Sequence, residues 1–150
     1  MRETDIDVGE LKIHVNERIF QKCPHVKMHV GGHPIIAVVD SGSDATILAE
    51  ELFEKLATSN IEMLHIPITG AVLTSTSGNR TNKIKTQALV LFEIRGGNFE
   101  HTCIVASGMI ADWILGADFL NKFQVTINFE DQCMYTKDEN CSRRHQFVSE

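Results

Sequence analysis

Five apolar residues, Ile35-Ile36-Ala37-Val38-Val39, run straight into Asp40-Ser41-Gly42, and beyond Ser43-Asp44-Ala45 the chain turns apolar again through Thr46-Ile47-Leu48. A short apolar run bounded by turn residues is the pattern of a strand buried on both faces. Such a strand carries a carboxylate to its own mouth, where partial loss of water is costly. Turn triplets normally lie among polar residues. One held between two apolar runs calls for a reason beyond chain reversal, and a partly desolvated acid is a common mark of a functional site.

The flanking sequence places that strand in a β context. His25-Val26-Lys27-Met28-His29-Val30 alternates, and Gly31-Gly32 offers positive φ at both turn positions, so Pro24 to Val39 reads as a β-hairpin. Ala45 to Ala57 is rich in helix formers with Leu48, Leu52 and Leu56 four apart, which predicts a short amphipathic helix. Strands are expected over Ile66–Leu73 and Lys83–Ile94, joined by a small, polar, turn-prone stretch, Thr74 to Asn82. Gly96-Gly97-Asn98 marks a second hairpin turn before a strand from Phe99 to Ala106. Ile110 to Leu120 reads as a strand that breaks at Gly116 into a brief helical turn, and Gln124 to Phe129 as the last strand. Leu11-Lys12-Ile13-His14-Val15 alternates within an otherwise polar start and could be an edge strand or an arm. The divisions that follow are an N-terminal arm or linker over 1–22, a domain over 23–130, and a polar tail or linker over 131–150.

Composition narrows the function. The chain has 150 residues, 43% of them apolar, enough for one domain with a real core but not for two full lobes. It carries a formal charge of -6 with its basic residues scattered, so nucleic acid is not the expected ligand. No run of about 18 apolar residues is present and the first residues lack the features of a signal peptide, so neither a membrane span nor secretion is expected. Cys23, Cys103, Cys133 and Cys141 form no C-x-x-C pair and are expected as thiols. His25, His29 and His33 recur every four residues, but Gly31-Gly32 turns the chain before the third, and Cys133, Cys141 and His145 lack zinc-site spacing, so no metal is assigned. Trp113 is read as a core or dimer-contact aromatic, and Asp112 and Asp118 as caps of the adjoining turn or helix start.

A phosphate loop of the actin and sugar-kinase type also places an acid, a glycine and a hydroxyl between strands. Such ATPases need two large lobes and a second phosphate loop, for which this chain has no room. Peptide hydrolysis without a covalent intermediate is the better fit. It requires a water held between two carboxyl groups that share a proton, one acting as base and the other as acid. Like charges a few ångströms apart cannot both ionise cheaply, so the pair titrates as one unit. This chain supplies a single Asp-Ser-Gly, so the second carboxylate must come from another copy across a twofold axis. Ser41 would then offer a hydroxyl to lock the two loops, and Gly42 would let backbone approach water and substrate.

Two blocks carry a specific resemblance. Ile35 to Thr46, together with Trp113-Ile114-Leu115-Gly116-Ala117-Asp118-Phe119-Leu120, resembles the retropepsins, homodimeric aspartic proteases of retroviruses and LTR retrotransposons, over about Pro24 to Phe129. The second block and the Phe99–Ala106 strand lean toward the retrotransposon relatives. The resemblance implies a mainly β, closed barrel of the acid-protease fold with one or two short helices, active as a symmetric homodimer on peptide or polyprotein substrates of the Gag-Pol type. It implies no cofactor, no metal, and no nucleic-acid or membrane partner for this domain. The implied location is the cytoplasm or virus-like particles.

By the same resemblance Asp40 is the catalytic carboxylate, Ser41 the cross-dimer hydroxyl, and Thr46 a support of the active-site loop. Gly42 and Asp44 would bond the substrate backbone. Leu73 to Ile84 would be the flap, with Ser75, Thr76, Ser77 and Gly78 near its tip. Ile114 and Leu115 would shape apolar subsite walls, with Gly116 backing the loop. Ser41 stands where the family often has Thr, and Ala117 where many viral members have an Arg that pairs with the acid equivalent to Asp44. The flap also lacks the viral run of glycines. These departures leave a rival reading open, a retropepsin-like dimerisation or peptide-binding module that is weakly active or inactive.

Overall fold

The computed structural model describes residues 6–7, 10–15, 23–66, 71–75, 81–137 and 141–148. In chain order the strands are β1 (Ile6–Asp7), β2 (Glu10–Val15), β3 (His25–Val30), β4 (His33–Val39), β5 (Ile47–Ala49), β6 (Leu64–Ile66), β7 (Ala71–Ser75), β8 (Thr81–Ile94), β9 (Gly97–Ala106), β10 (Trp113–Leu115), β11 (Thr126–Asn128), β12 (Cys133–Lys137) and β13 (Ser142–Gln146). Among the described residues two helices join them, α1 (Glu50–Thr58) and α2 (Ala117–Lys122).

The hairpin β3–β4 turns at Gly31 and Gly32, both at positive φ. The hairpin β8–β9 turns through Arg95 and Gly96, again at positive φ. From β8 the pairing runs to β3, β4, β10, β5 and β9, and β9 pairs back onto β8, so six strands close a ring. The protein is mainly β, a closed barrel with no open edge on that circuit.

The helix expected from Ala45 begins only at Glu50. Residues 47–49 instead form β5, which pairs parallel to β9 and antiparallel to β10, and all three are buried. Barrel closure decides this: Ile47 and Leu48 gain backbone partners on both sides, which outweighs the helical spacing of Leu48 with Leu52. In β4 the three residues next to Asp40 are buried, whereas Ile36 stays 41% exposed, so only the end of the strand is covered on both faces.

The main core holds Trp113, Phe92, Phe99 and Phe119 with aliphatic residues of β3, β4 and β8. Trp113 meets Phe92 edge-on at 5.3 Å and is fully enclosed, a core aromatic of the protomer. The four cysteines are all unbridged.

Residues 131–150, expected as a polar tail, contain two strands that complete a three-stranded antiparallel sheet with β11. Met134 and Phe147 from this sheet enter the main core, and Cys133 is fully buried. Its alternation is short and interrupted by half-buried Arg143 and exposed Arg144, so the apolar period is hard to see in the sequence.

His145 lies on β13, 1% exposed, with Nε2 2.7 Å from Thr136 Oγ1 and Nδ1 without a hydrogen-bond partner among the described residues. Burial, with Arg143 and Arg95 adding to it, holds its pKa down to about 4 from 6.5. The unfolded chain therefore takes up a proton first as pH falls, and the stability His145 contributes is full above 6.5 and lost toward 4. We expect unfolding free energy to drop by about 3 kcal/mol between pH 7 and pH 4 from this residue, and the drop to flatten in His145→Gln. Urea titrations at several pH values check it.

Candidate active site

Strand β4 delivers Asp40 beside the end of β10. Val38 and Val39 pair in parallel with Ile114 and Leu115, and the Asp40 N–H continues that ladder to the Leu115 carbonyl at 3.0 Å. The chain then folds back on itself: Ser43 N–H donates to the Asp40 carbonyl at 3.0 Å, and Gly42 N–H donates to Asp40 Oδ1 at 2.7 Å. The carboxyl group of Asp40 is thus oriented by its own loop while the residue is only 2% exposed in the protomer. A side chain at position 42 would place its Cβ 2.6 Å from that Oδ1, so the approach requires glycine.

The far side of the loop is fixed to the second sequence block. Ala117 N–H donates to the Ser43 carbonyl at 2.7 Å, and Ser43 Oγ donates to the Ala45 carbonyl at 2.7 Å. Gly116 lies so close beneath the loop that an added Cβ would sit 2.2 Å from the Ala45 carbonyl oxygen. Thr46, fully buried, donates through Oγ1 to Asp118 Oδ1 at 2.7 Å and accepts the Gly116 N–H at 3.1 Å. Asp40, Gly42, Thr46 and Gly116 therefore form one assembly. Ser41 is exposed at the turn and Asp44 half-buried next to it.

Ile114 and Leu115 are both fully enclosed. Leu115 joins the main core, whereas Ile114 joins a smaller apolar cluster with Val38, Ile47, Ile84 and Ile104. Partly buried Cys23, Ala45, Met109 and Ala111 rim this second cluster. The flap region appears as the antiparallel pair β7–β8, with Val72 opposite Lys83 and Thr74 opposite Thr81, and Ser75 ends β7. Thr76, Ser77 and Gly78 lie outside the described residues.

Three further residues bear on the site. Burial, with the Asp40 carboxylate adding to it, pushes the Cys23 thiol up to about 11, so it stays protonated beside the acid. Asp118 is not the N-cap of α2, which is Gly116, but its Oδ1 accepts the first-turn Phe119 N–H at 2.7 Å. Its carboxylate also takes bonds from Thr46 and from His101, whose Nε2 is 3.0 Å from Oδ2. Burial raises the Asp118 pKa, but hydrogen bonds from His101 and Thr46 outweigh that and hold it below the ordinary aspartate value.

Residues 26–122 match the family model described as gag-polyprotein putative aspartyl protease. The chain belongs to this family. The match spans both blocks of the retropepsin-like domain and the strands between them. The domain is also 30% identical, over 104 residues that make up 69% of this chain, to DNA damage-inducible protein 1 of Yarrowia lipolytica, and it spans 25% of that relative's length. Among solved structures it resembles the retroviral protease-like domain of Ddi1 from Leishmania major, with a TM-score of 0.64 at 17% identity over 85% of this chain and 94% of that one. It also resembles the EIAV protease complexed with the inhibitor HBY-793, with a TM-score of 0.53 at 19% identity over 73% and 95% of the two chains. These likenesses show a retropepsin-like fold.

Proposed function

We propose that this retropepsin-like domain is an aspartic endopeptidase, active as a homodimer in which each subunit contributes Asp40. The observation that carries the reading is a buried carboxyl group, one per chain, oriented by Gly42 N–H at the mouth of a strand. Two such groups across a twofold axis share one proton. One takes a proton from the water between them as it attacks the peptide carbonyl, and the other protonates the departing nitrogen. Exposed Ser41 at the loop turn suits a contact between the two loops.

Substrate lies extended between the β7–β8 flap and the loop, with main-chain bonds to Gly42 and Asp44 giving affinity. Apolar subsites draw on the second cluster, where Ile114, Val38 and Ile47 back the partly open Ala45 and Met109. A Gag-Pol-type polyprotein is the natural substrate of this reading, in line with the gag polyprotein that the family's description names.

The test is cleavage of polyprotein-derived peptides at mildly acid pH over a dilution series. Specific activity should fall as dilution dissociates the dimer. Activity that is unchanged down to high dilution would count against a weak dimer, and peptide binding without cleavage at any concentration would assign the domain as a binding module instead.

A further inference from the structure

We propose that Asp118 and His101 are positioning residues for the active-site loop, fixing through Thr46 where Asp40 stands. The proposal rests on Asp40 being the catalytic carboxyl.

The argument is one of hydrogen-bond direction. An ionised carboxylate only accepts, and a threonine hydroxyl has a single proton to give. Asp118 Oδ1 takes that proton from Thr46 at 2.7 Å, which leaves the hydroxyl oxygen to accept the Gly116 N–H at 3.1 Å. Gly116 lies in contact with the Ser43 and Ala45 carbonyls, and Ala117 N–H bonds Ser43. Ser43 in turn donates to the Asp40 carbonyl. Asp118 therefore sets the orientation of the Thr46 hydroxyl, the one group in this run that can both donate and accept, while the backbone bonds beyond it have a fixed direction.

Asp118 has a side chain 36% exposed, so water competes for it. His101 provides the opposing hold. It is 7% exposed, its ring meets Phe119 edge-on at 5.6 Å, and Nε2 donates to Asp118 Oδ2. The remaining oxygen is shared by Thr46 and the Phe119 N–H, so the carboxylate is bonded on both sides. Its lowered pKa keeps it ionised, and acceptor-only, in mildly acid solution. A merely helix-stabilising acid in the first turn of α2 would need neither the buried histidine nor the threonine.

The experiment compares Thr46→Val, Thr46→Ser, Asp118→Ala and His101→Phe in kcat, KM and amide hydrogen exchange. Thr46→Val and Asp118→Ala should lower kcat about 10- to 100-fold, since small displacements of reacting groups have effects of that size, and should leave KM within about twofold. The double variant should be no worse than the poorer single one. Thr46→Ser, which keeps the hydroxyl, should recover kcat to within about threefold of the parent, and His101→Phe should fall between the extremes. The Gly116 amide should exchange faster in Thr46→Val while amides in the centre of β8 and β9 keep their rates.

Unchanged kcat in Thr46→Val and Asp118→Ala would overturn the proposal. So would acceleration of the β8 and β9 amides together with Gly116, which would make the loss one of global stability. If Asp118→Ala does not fold, the Thr46 pair decides alone. If the parent cleaves no peptide, the endopeptidase reading fails, and the Gly116 exchange rate still decides whether the loop is held this way.

Discussion

Asp40→Asn will fold and bind extended peptide but hydrolyse it at least about 10³-fold more slowly, the scale of a lost general acid or base. The amide is the size of the carboxyl group and keeps an oxygen to accept the Gly42 N–H, so the loop has no reason to move. What it cannot do is exchange a proton with water. In the proposed dimer the substitution replaces both members of the pair, and with them the cost of holding two buried acids together, so stability should hold or rise. Product formation followed by mass spectrometry, beside peptide affinity and a urea midpoint, checks the three parts separately. Equal cleavage by parent and variant would place the chemistry elsewhere in the chain.

Among the described glycines, Gly116→Ala should have the largest effect of a single added methyl. The added carbon would lie 2.2 Å from the Ala45 carbonyl oxygen, 2.5 Å from its carbon and 2.8 Å from the Ser43 oxygen. All three are backbone atoms, so no side chain can rotate away. Relief requires the Ser43–Ala45 segment to rise off β10, which stretches the bonds that Gly116 N–H donates to Thr46 and Ala117 N–H donates to Ser43. Overpacking of this kind costs about 3 kcal/mol or more, and a loop moved by about 1 Å loses about 10²-fold in rate. A lowered urea midpoint together with lost cleavage is the expected pair of results. An unchanged midpoint would mean that the loop is far softer than its bonds imply.

Much of the barrel and its acid were legible because the signals were local. Apolar runs ending in Gly-Gly or Asp-Ser-Gly, and the Trp113 to Leu120 block, each state their role within a few residues. The start of α1 was not, because Leu48 fits a helical period and only the pairing of β5 with β9 and β10 overrides it. The Asp118 contacts were hidden for a related reason. Thr46 is 72 residues away and His101 is 17, so an acid in the first turn of a helix looked like a cap until the barrel brought them together. The sheet of β12 and β13 is hard to read in the sequence because two core residues, Met134 and Phe147, lie thirteen positions apart with a largely charged and polar stretch between them.

Strand β2 pairs in parallel along β7, from Leu11 opposite Ala71 to Val15 opposite Ser75, while β8 holds the other edge of β7. That edge already has its hydrogen bonds. A peptide that pairs with β7 there does so by exchange with residues 10–15, and its measured affinity is the difference between two strands competing for one ladder.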